Sequence, residues 1–152
     1  MENQNNLVLN DLAIGAIRES AKWTMFLSII GFIGLALMLL GGIFATVALA
    51  AIPDEAAFGP YNPFAAIKNY IGPIYLVIVV IYFFPVLYLY KYSKGAKEAL
   101  NFNNSELLAE ALVNLKSHHK YLGIMTIVCL SMYVVIIIVA IAFAASMASG
   151  AM

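Results

Sequence analysis

Few residues in this sequence have side chains suited to chemistry, and the histidines are the first to consider. His118 and His119 are adjacent and are the only two in the chain. Neighbouring residues on a helix point about 100° apart, so this pair lacks the i, i+4 spacing with which two helical histidines hold a metal. We interpret both as residues near the membrane surface, with His119 towards an apolar face and His118 nearer its edge. The pair predicts neither a metal site nor a cofactor.

The other reactive residue types also fail to form a recognisable catalytic set. Cys129 is the single cysteine and lies in an apolar run, which excludes a disulfide within the chain and favours a packing role. Asp54 and Glu55 form an acidic pair in a stretch rich in proline, where we expect them to be solvated. The sequence contains neither a Ser/His/Asp set nor a glycine-rich phosphate loop. We therefore predict that the protein is not an enzyme.

Composition identifies the solvent that the chain requires. It is 64% hydrophobic and 11% charged, with a mean hydropathy of +0.94, whereas soluble domains are about 45–50% apolar and about 25% charged. A water-soluble fold of 152 residues cannot bury that much apolar surface. The formal net charge is zero, which gives no reason to expect nucleic acid as a partner. The sequence predicts an all-α membrane protein whose first partner is the lipid bilayer.

Three apolar segments are long enough to cross a bilayer: residues 23–52, 71–90 and 121–147. Each should be a helix, because an open sheet would leave backbone groups unpaired in lipid. We predict one membrane domain over residues 1–152. A cleavable signal ending at the small residues Ala48 and Ala50 is an alternative for the first segment. The retained anchor is favoured, because a signal's apolar region is usually about 7–15 residues long.

The segments outside the three spans differ in character. Residues 53–70 contain prolines and a glycine and predict a loop on the outer side. Residues 10–22 predict an amphipathic helix capped by Asn10. Residues 91–120 predict a cytoplasmic loop with a second amphipathic helix that begins near residues 103–105, where Asn103 and Glu106 resemble a capping box. The apolar face expected for this second helix contains Leu108, Ala111, Leu112, Leu115 and Leu122, opposite Asn114.

A short likeness relates the starts of the first and third spans. Residues 22–30 (KWTMFLSII) can be laid on residues 120–128 (KYLGIMTIV), lysine on lysine and aromatic on aromatic. Either an internal duplication or a pattern common to membrane helices explains it: a basic residue, an interfacial aromatic, then aliphatic residues.

The basic residues predict an orientation. Lys68 alone falls on the side of the 53–70 loop, and the other seven fall on the side shared by the N-terminus and the 91–120 loop. Short loops rich in Lys and Arg remain in the cytoplasm. We expect a cytoplasmic N-terminus and a periplasmic or extracellular C-terminus. The seven are Arg18, Lys22, Lys91, Lys94, Lys97, Lys116 and Lys120.

The spans themselves carry small, aromatic and hydroxyl residues but no ionisable ones, which argues against a proton-coupled transporter that works as a monomer. Small residues recurring every four or seven positions, including a row of Gly42, Thr46 and Ala50, predict close helix contacts, internal or with another copy. Pro85 predicts a kink in the second span. The packing candidates are Gly34, Gly41, Ala45, Ala48, Ala140, Ala144 and Ala148.

The expected interfacial belt is Trp23, Tyr88, Tyr90, Tyr92 and Tyr121. The isolated hydroxyls of Ser28, Thr46, Thr126 and Ser131 are expected to bond their own helix backbone.

Three blocks give the chain a family resemblance. They are KWTMFLSIIGF at residues 22–32, YFFPVLYLYKYS at residues 82–93 and NLKSHHKYLGI at residues 114–124. Together they resemble an uncharacterised family of small bacterial multi-pass membrane proteins, a domain of unknown function. The resemblance implies a bacterial inner-membrane setting and implies no activity or catalytic residue.

The function that the sequence favours is assembly without catalysis. We expect a homo-oligomer or an accessory subunit of a membrane complex, whose partner is a second copy or another membrane protein. An oligomeric pore or small-solute transporter is the alternative, and an enzyme using His118 or His119 ranks last.

Overall fold

A computed structural model of the chain describes residues 9–52 and 63–149, which form three long α-helices. We label them α1 (Asp11–Ala50), α2 (Pro63–Phe102) and α3 (Ser105–Ser149). Each contains a stretch long and apolar enough to cross a membrane. The prediction of an all-helical protein is confirmed, and so is the prediction of three segments long and apolar enough to cross a membrane.

Helix α1 joins the predicted amphipathic segment and the first span into one rod of 40 residues. Its start is fixed by Asn10, whose side-chain Oδ1 accepts a hydrogen bond of 2.8 Å from the backbone N–H of Ala13. This contact satisfies one of the donors that lack a partner at a helix start. The predicted cap at Asn10 is confirmed.

Two of the predicted loop boundaries are wrong. Residues 63–70, assigned to the outer loop, belong to α2, while residues 53–62 lie outside the described part of the chain. Pro63 occupies the first helical position, where the missing proline N–H costs nothing. Residues 91–102, assigned to the cytoplasmic loop, also continue α2. They are helical because their alanines pack in the core and because Lys94 lies 3.9 Å from Glu98 one turn later.

The connection between α2 and α3 is a tight turn at two asparagines. Asn103 has a left-handed backbone with φ 48, and the Asn104 N–H donates to the Ala99 carbonyl at 3.0 Å, as in a Schellman helix end. The Asn104 Oδ1 then accepts from the N–H groups of Glu106 (2.9 Å) and Leu107 (3.1 Å). The cap of α3 is therefore Asn104, and the predicted capping box that starts at Asn103 is wrong.

The chain divides into two compact units, Met1–His118 and His119–Met152. In the first unit α1 and α2 pack antiparallel. The buried residues of α1 include Ala21, Ser28 and Gly42, which lie seven or fourteen positions apart. This spacing keeps one narrow seam of a helix on its neighbour. The core at the end of this seam contains Ala21, Tyr92, Ala96 and Ala111, with Ile17 and Leu115 packed against them.

The second unit is the C-terminal two thirds of α3. All side chains described from residue 126 to residue 147 are exposed, and they are predominantly aliphatic. A helix that is apolar on every side is typical of a membrane span. Its surface must therefore be covered by lipid or by another helix.

Candidate functional site

The closest approach between α1 and α2 uses Gly42, which belongs to the predicted small-residue pattern, together with Gly31 and Gly72, which do not. A Cβ at Gly42 would lie 2.9 Å from the Cβ of Tyr75, and one at Gly31 would lie 3.0 Å from both methyl groups of Val86. A third contact brings Gly72 of α2 against the side chain of Thr46. The two helices therefore touch nearly backbone to backbone, as small residues permit in membranes.

Two other packing candidates predicted on α1, Gly34 and Gly41, lie away from α2. Gly34 and Gly41 are exposed, and a Cβ at either position would meet nothing within 4 Å among the described residues. Ala45 and Ala48 are half-buried. The glycine spacing was recognised correctly, but the face in contact with α2 is the one that carries Thr24, Ser28 and Gly42. The seven-residue recurrence of Ala21 and Ser28 was the available signal. A contact of Gly34 and Gly41 with another chain stays a prediction.

An apolar groove of about 520 Å³ opens beside these glycine contacts, between α1 and the first half of α2. Thr46 and Tyr75 carry the two hydroxyl groups among its lining residues, and the Thr46 Oγ1 donates to the Gly42 carbonyl at 2.7 Å. Pro73 also lines the groove and lies inside α2. A cavity lined this way offers apolar contact and no reactive group. It is suited to hydrocarbon rather than to a polar substrate.

A cluster of hydroxyl groups ties α1 to α2 at the opposite end of the seam. Ser93 is buried, and its Oγ donates across the helices to the Ala21 carbonyl at 2.6 Å. The hydroxyls of Ser20 and Tyr92 lie 3.3 Å apart. Tyr92 is 3% exposed. Its assignment to the interfacial belt is therefore wrong, because its ring fills the core between the helices.

The other members of the predicted belt have different environments. Trp23 is 62% exposed and lies edge-on to Phe26, with ring centroids 6.2 Å apart. Tyr88, Tyr90 and Tyr121 are half-buried. Whether these four residues meet lipid headgroups stays a prediction.

His118 connects the first turns of α3 to α2. Its Nδ1 lies 2.8 Å from the carbonyl oxygen of Pro85 and, because a carbonyl can only accept, Nδ1 carries the proton. Pro85 is buried within α2, which passes through it as one continuous helix. His118 is half-buried and His119 is exposed. The prediction that His119 is the one nearer the apolar face is therefore wrong.

A polar cleft of about 410 Å³ separates α2 from the start of α3. A Cβ at Gly95 would lie 3.2 Å from the Cβ of Ala111, which brings the two helices close together at its floor. The α3 face turned to this cleft includes the half-buried Asn114, whereas Leu112 is 45% exposed. The predicted apolar face was wrong for these two residues. The charged residues lining the cleft are Lys91, Lys94, Glu98 and Glu110.

Hydroxyl groups within the predicted spans bond to their own helices. Ser28 donates to the Met25 carbonyl at 2.8 Å, and the hydroxyls of Thr126 and Ser131 donate to carbonyls four residues earlier. This prediction is confirmed for Ser28, Thr46, Thr126 and Ser131. Among the described residues, no group of three or more His, Cys, Asp and Glu side chains is arranged to hold a metal ion.

Three further predicted residues lie in the second unit. Cys129, Ala140 and Ala144 are exposed, and their packing roles stay predictions. The side chain of Ala148, the last packing candidate, lies outside the described residues.

Comparisons with known proteins add no further assignment. No family model, no curated protein and no solved structure matches this chain. The resemblance to an uncharacterised bacterial membrane family therefore stays a prediction, and function must be argued from the chain's own surfaces.

Proposed function

We propose that this chain is a non-enzymatic protein of the bacterial inner membrane that acts by assembly, as a homo-oligomer or as an accessory subunit of a membrane complex. The observation that carries the proposal is the exposure of all side chains described over residues 126–147. A span with no buried side chain is stabilised by whatever surrounds it. Helix association in lipid gains little from the hydrophobic effect and depends on close packing of small residues.

Two small-residue surfaces are available for such contacts. On α1, Gly34 and Gly41 are exposed seven positions apart, and added side chains there would meet nothing in the described chain. On α3, Ala140 and Ala144 are exposed four positions apart. Each pair allows the backbone of a second helix to approach closely.

The state of the polar groups supports assembly over transport by a single copy. The six Ser and Thr hydroxyls of the spans are already bonded to backbone carbonyls. Intramembrane Asp, Glu, Lys, Arg and His residues mark most proton and ion pathways. The three apolar segments contain none of these five residue types. The Ser and Thr hydroxyls in the membrane region thus form hydrogen bonds within their own helices.

The orientation belongs to the same proposal. The seven basic residues outside the 53–70 segment support a cytoplasmic N-terminus and α2–α3 turn and a periplasmic C-terminus. The starts of α1 and α3 are then amphipathic cytoplasmic segments, docked through Ile17, Ala21, Ala111 and Leu115. A phosphatase fused after Met152 should be active and one fused within residues 101–105 inactive; the reverse pattern contradicts the orientation.

Assembly itself is tested on the open face of α1. Gly41→Leu should reduce the fraction of cross-linked oligomer or of co-purified partner in mild detergent, because a bulky side chain blocks close backbone contact. Ala36→Leu is the matched control, since Ala36 is exposed on a different side of the same helix. Equal association of the two variants and the parent would remove the role of this face. A parent chain that is monomeric and partner-free in the membrane would overturn the proposal.

A further inference from the structure

A shallow groove of about 700 Å³ lies on the outer face of α1, near its N-terminal end. This face is turned away from α2, whose contacts are made through Ala21, Thr24 and Ser28 on the other side of the helix. All of the groove's lining residues are exposed. They are Gly15, Arg18, Glu19, Lys22, Trp23 and Phe26.

The charged part of the groove is formed by Arg18 and Lys22, which are four residues apart on one face. Side chains at this spacing begin about 5–6 Å from each other, close enough to hold one anion together. Arginine presents a planar fork of donors that matches phosphate, and lysine adds a point charge. Gly15 leaves space one turn earlier, since a Cβ there would meet nothing within 4 Å among the described residues.

Glu19 sets the charge of ligand that the groove can accept. With two cations and one carboxylate, the groove has a net charge of about +1 at neutral pH. That balance suits a single phosphodiester, whereas a polyphosphorylated group would meet repulsion from Glu19. The cleft between α2 and α3 is less suited to an anion, because two glutamates line it beside its two lysines.

An apolar track continues from the charged end along the same side of α1. Phe26 is followed by Ile30, Ile33 and Leu37, spaced by three or four residues and 49–64% exposed. Trp23 lies between the charged end and the apolar track. Its ring is exposed, and its indole N–H is a hydrogen-bond donor. A cationic end, an amphipathic aromatic and a hydrocarbon track follow one another in the order of the parts of a phospholipid.

We propose that this groove binds an anionic phospholipid with one phosphodiester, such as phosphatidylglycerol. Arg18 and Lys22 hold the phosphate, Trp23 lies at the glycerol level, and an acyl chain follows Phe26 and Ile30. The inference rests on the proposed membrane setting, with this end of α1 in the cytoplasmic leaflet.

The chain supplies its own probe, because Trp23 is its single tryptophan. The full chain is reconstituted in vesicles of phosphatidylglycerol and phosphatidylcholine in which one or the other lipid carries bromine, a quencher of indole fluorescence. At equal mole fractions, brominated phosphatidylglycerol should quench Trp23 more strongly. The expected local enrichment is about five- to tenfold, from two cations opposed by one carboxylate near the surface.

Substitutions separate a built site from general attraction to a charged surface. Arg18→Gln with Lys22→Gln should abolish the preference, and Glu19→Gln should increase it. Lys91→Gln with Lys94→Gln removes the same charge from α2 and should leave the preference intact. An equal loss in both double variants, or no preference in the parent, would overturn the lipid site and leave the assembly proposal standing. Trp23 unquenched by either lipid would overturn the membrane setting as well.

Discussion

The glycine at position 42 offers the sharpest test of the α1–α2 packing. A Cβ added there would lie 2.9 Å from the Cβ of Tyr75, an atom attached to the α2 backbone that no side-chain rotation can move away. Gly41 is the residue immediately before it in the same helix, and a Cβ added there would meet nothing within 4 Å among the described residues. The variants Gly42→Ala and Gly41→Ala therefore make the same chemical change in opposite surroundings.

The expected magnitude follows from two opposing effects. Replacing a helical glycine by alanine stabilises a helix in water by about 1 kcal/mol, and this term is shared by both variants. Forcing a methyl group into a packed contact costs about 1–3 kcal/mol, because the helices must separate by a few tenths of an ångström. We expect Gly42→Ala to be about 1–3 kcal/mol less stable than Gly41→Ala, since the propensity terms cancel in the difference.

The free energy of unfolding is measured by denaturant titration in detergent micelles, with circular dichroism and Trp23 fluorescence as two signals. Gly41→Ala should match the parent or exceed it, and Gly42→Ala should unfold at a lower denaturant concentration. Equal midpoints and slopes for the two variants would refute the close packing of α1 on α2 at this position.

The polar contacts of the hairpin and of the α2–α3 turn give two further predictions. Ser93→Ala should lower the free energy of unfolding by about 0.5–1.5 kcal/mol, because it removes the buried hydrogen bond to the Ala21 carbonyl; a cost below detection in the same titration would count against this bond. Asn104→Ala should cost about 1 kcal/mol through the lost cap of α3. Asn103→Gly should be neutral or stabilising, since Asn103 is left-handed, and the opposite ranking of these two variants would contradict the turn.

The sequence by itself determined the helical class and the three apolar segments. Uninterrupted runs of about 20 or more apolar residues have few alternatives to a spanning helix, since the backbone must satisfy its own hydrogen bonds in lipid. It also located the start of α1, because the Asn10 cap is a local contact over three residues. The hydroxyl bonds of Ser28 and Thr126 were predictable for the same reason, since each reaches a carbonyl of its own helix.

Contacts between helices were decided only by the tertiary structure. Gly34 and Gly41 have the same residue type as Gly31 and Gly42, yet the latter pair lies at the contact because of how α1 is rotated towards α2. That rotation depends on side chains far away in sequence, such as Tyr75 and Val86. Residue spacing identifies a helix face but does not say which face meets a neighbour.

The same limit explains the errors at Tyr92 and His118. Tyr92 is a residue type common at membrane interfaces, and its burial depends on Ser20 and Ala21 of α1, about seventy residues away in sequence. His118 is half-buried because its ring reaches the Pro85 carbonyl of α2, a contact across 33 residues. Helix caps, apolar spans and hydroxyls bonded to their own backbone depend on residues close together in sequence. Whether a residue lies at a membrane interface or in the protein core depends on which residues, distant in sequence, pack against it.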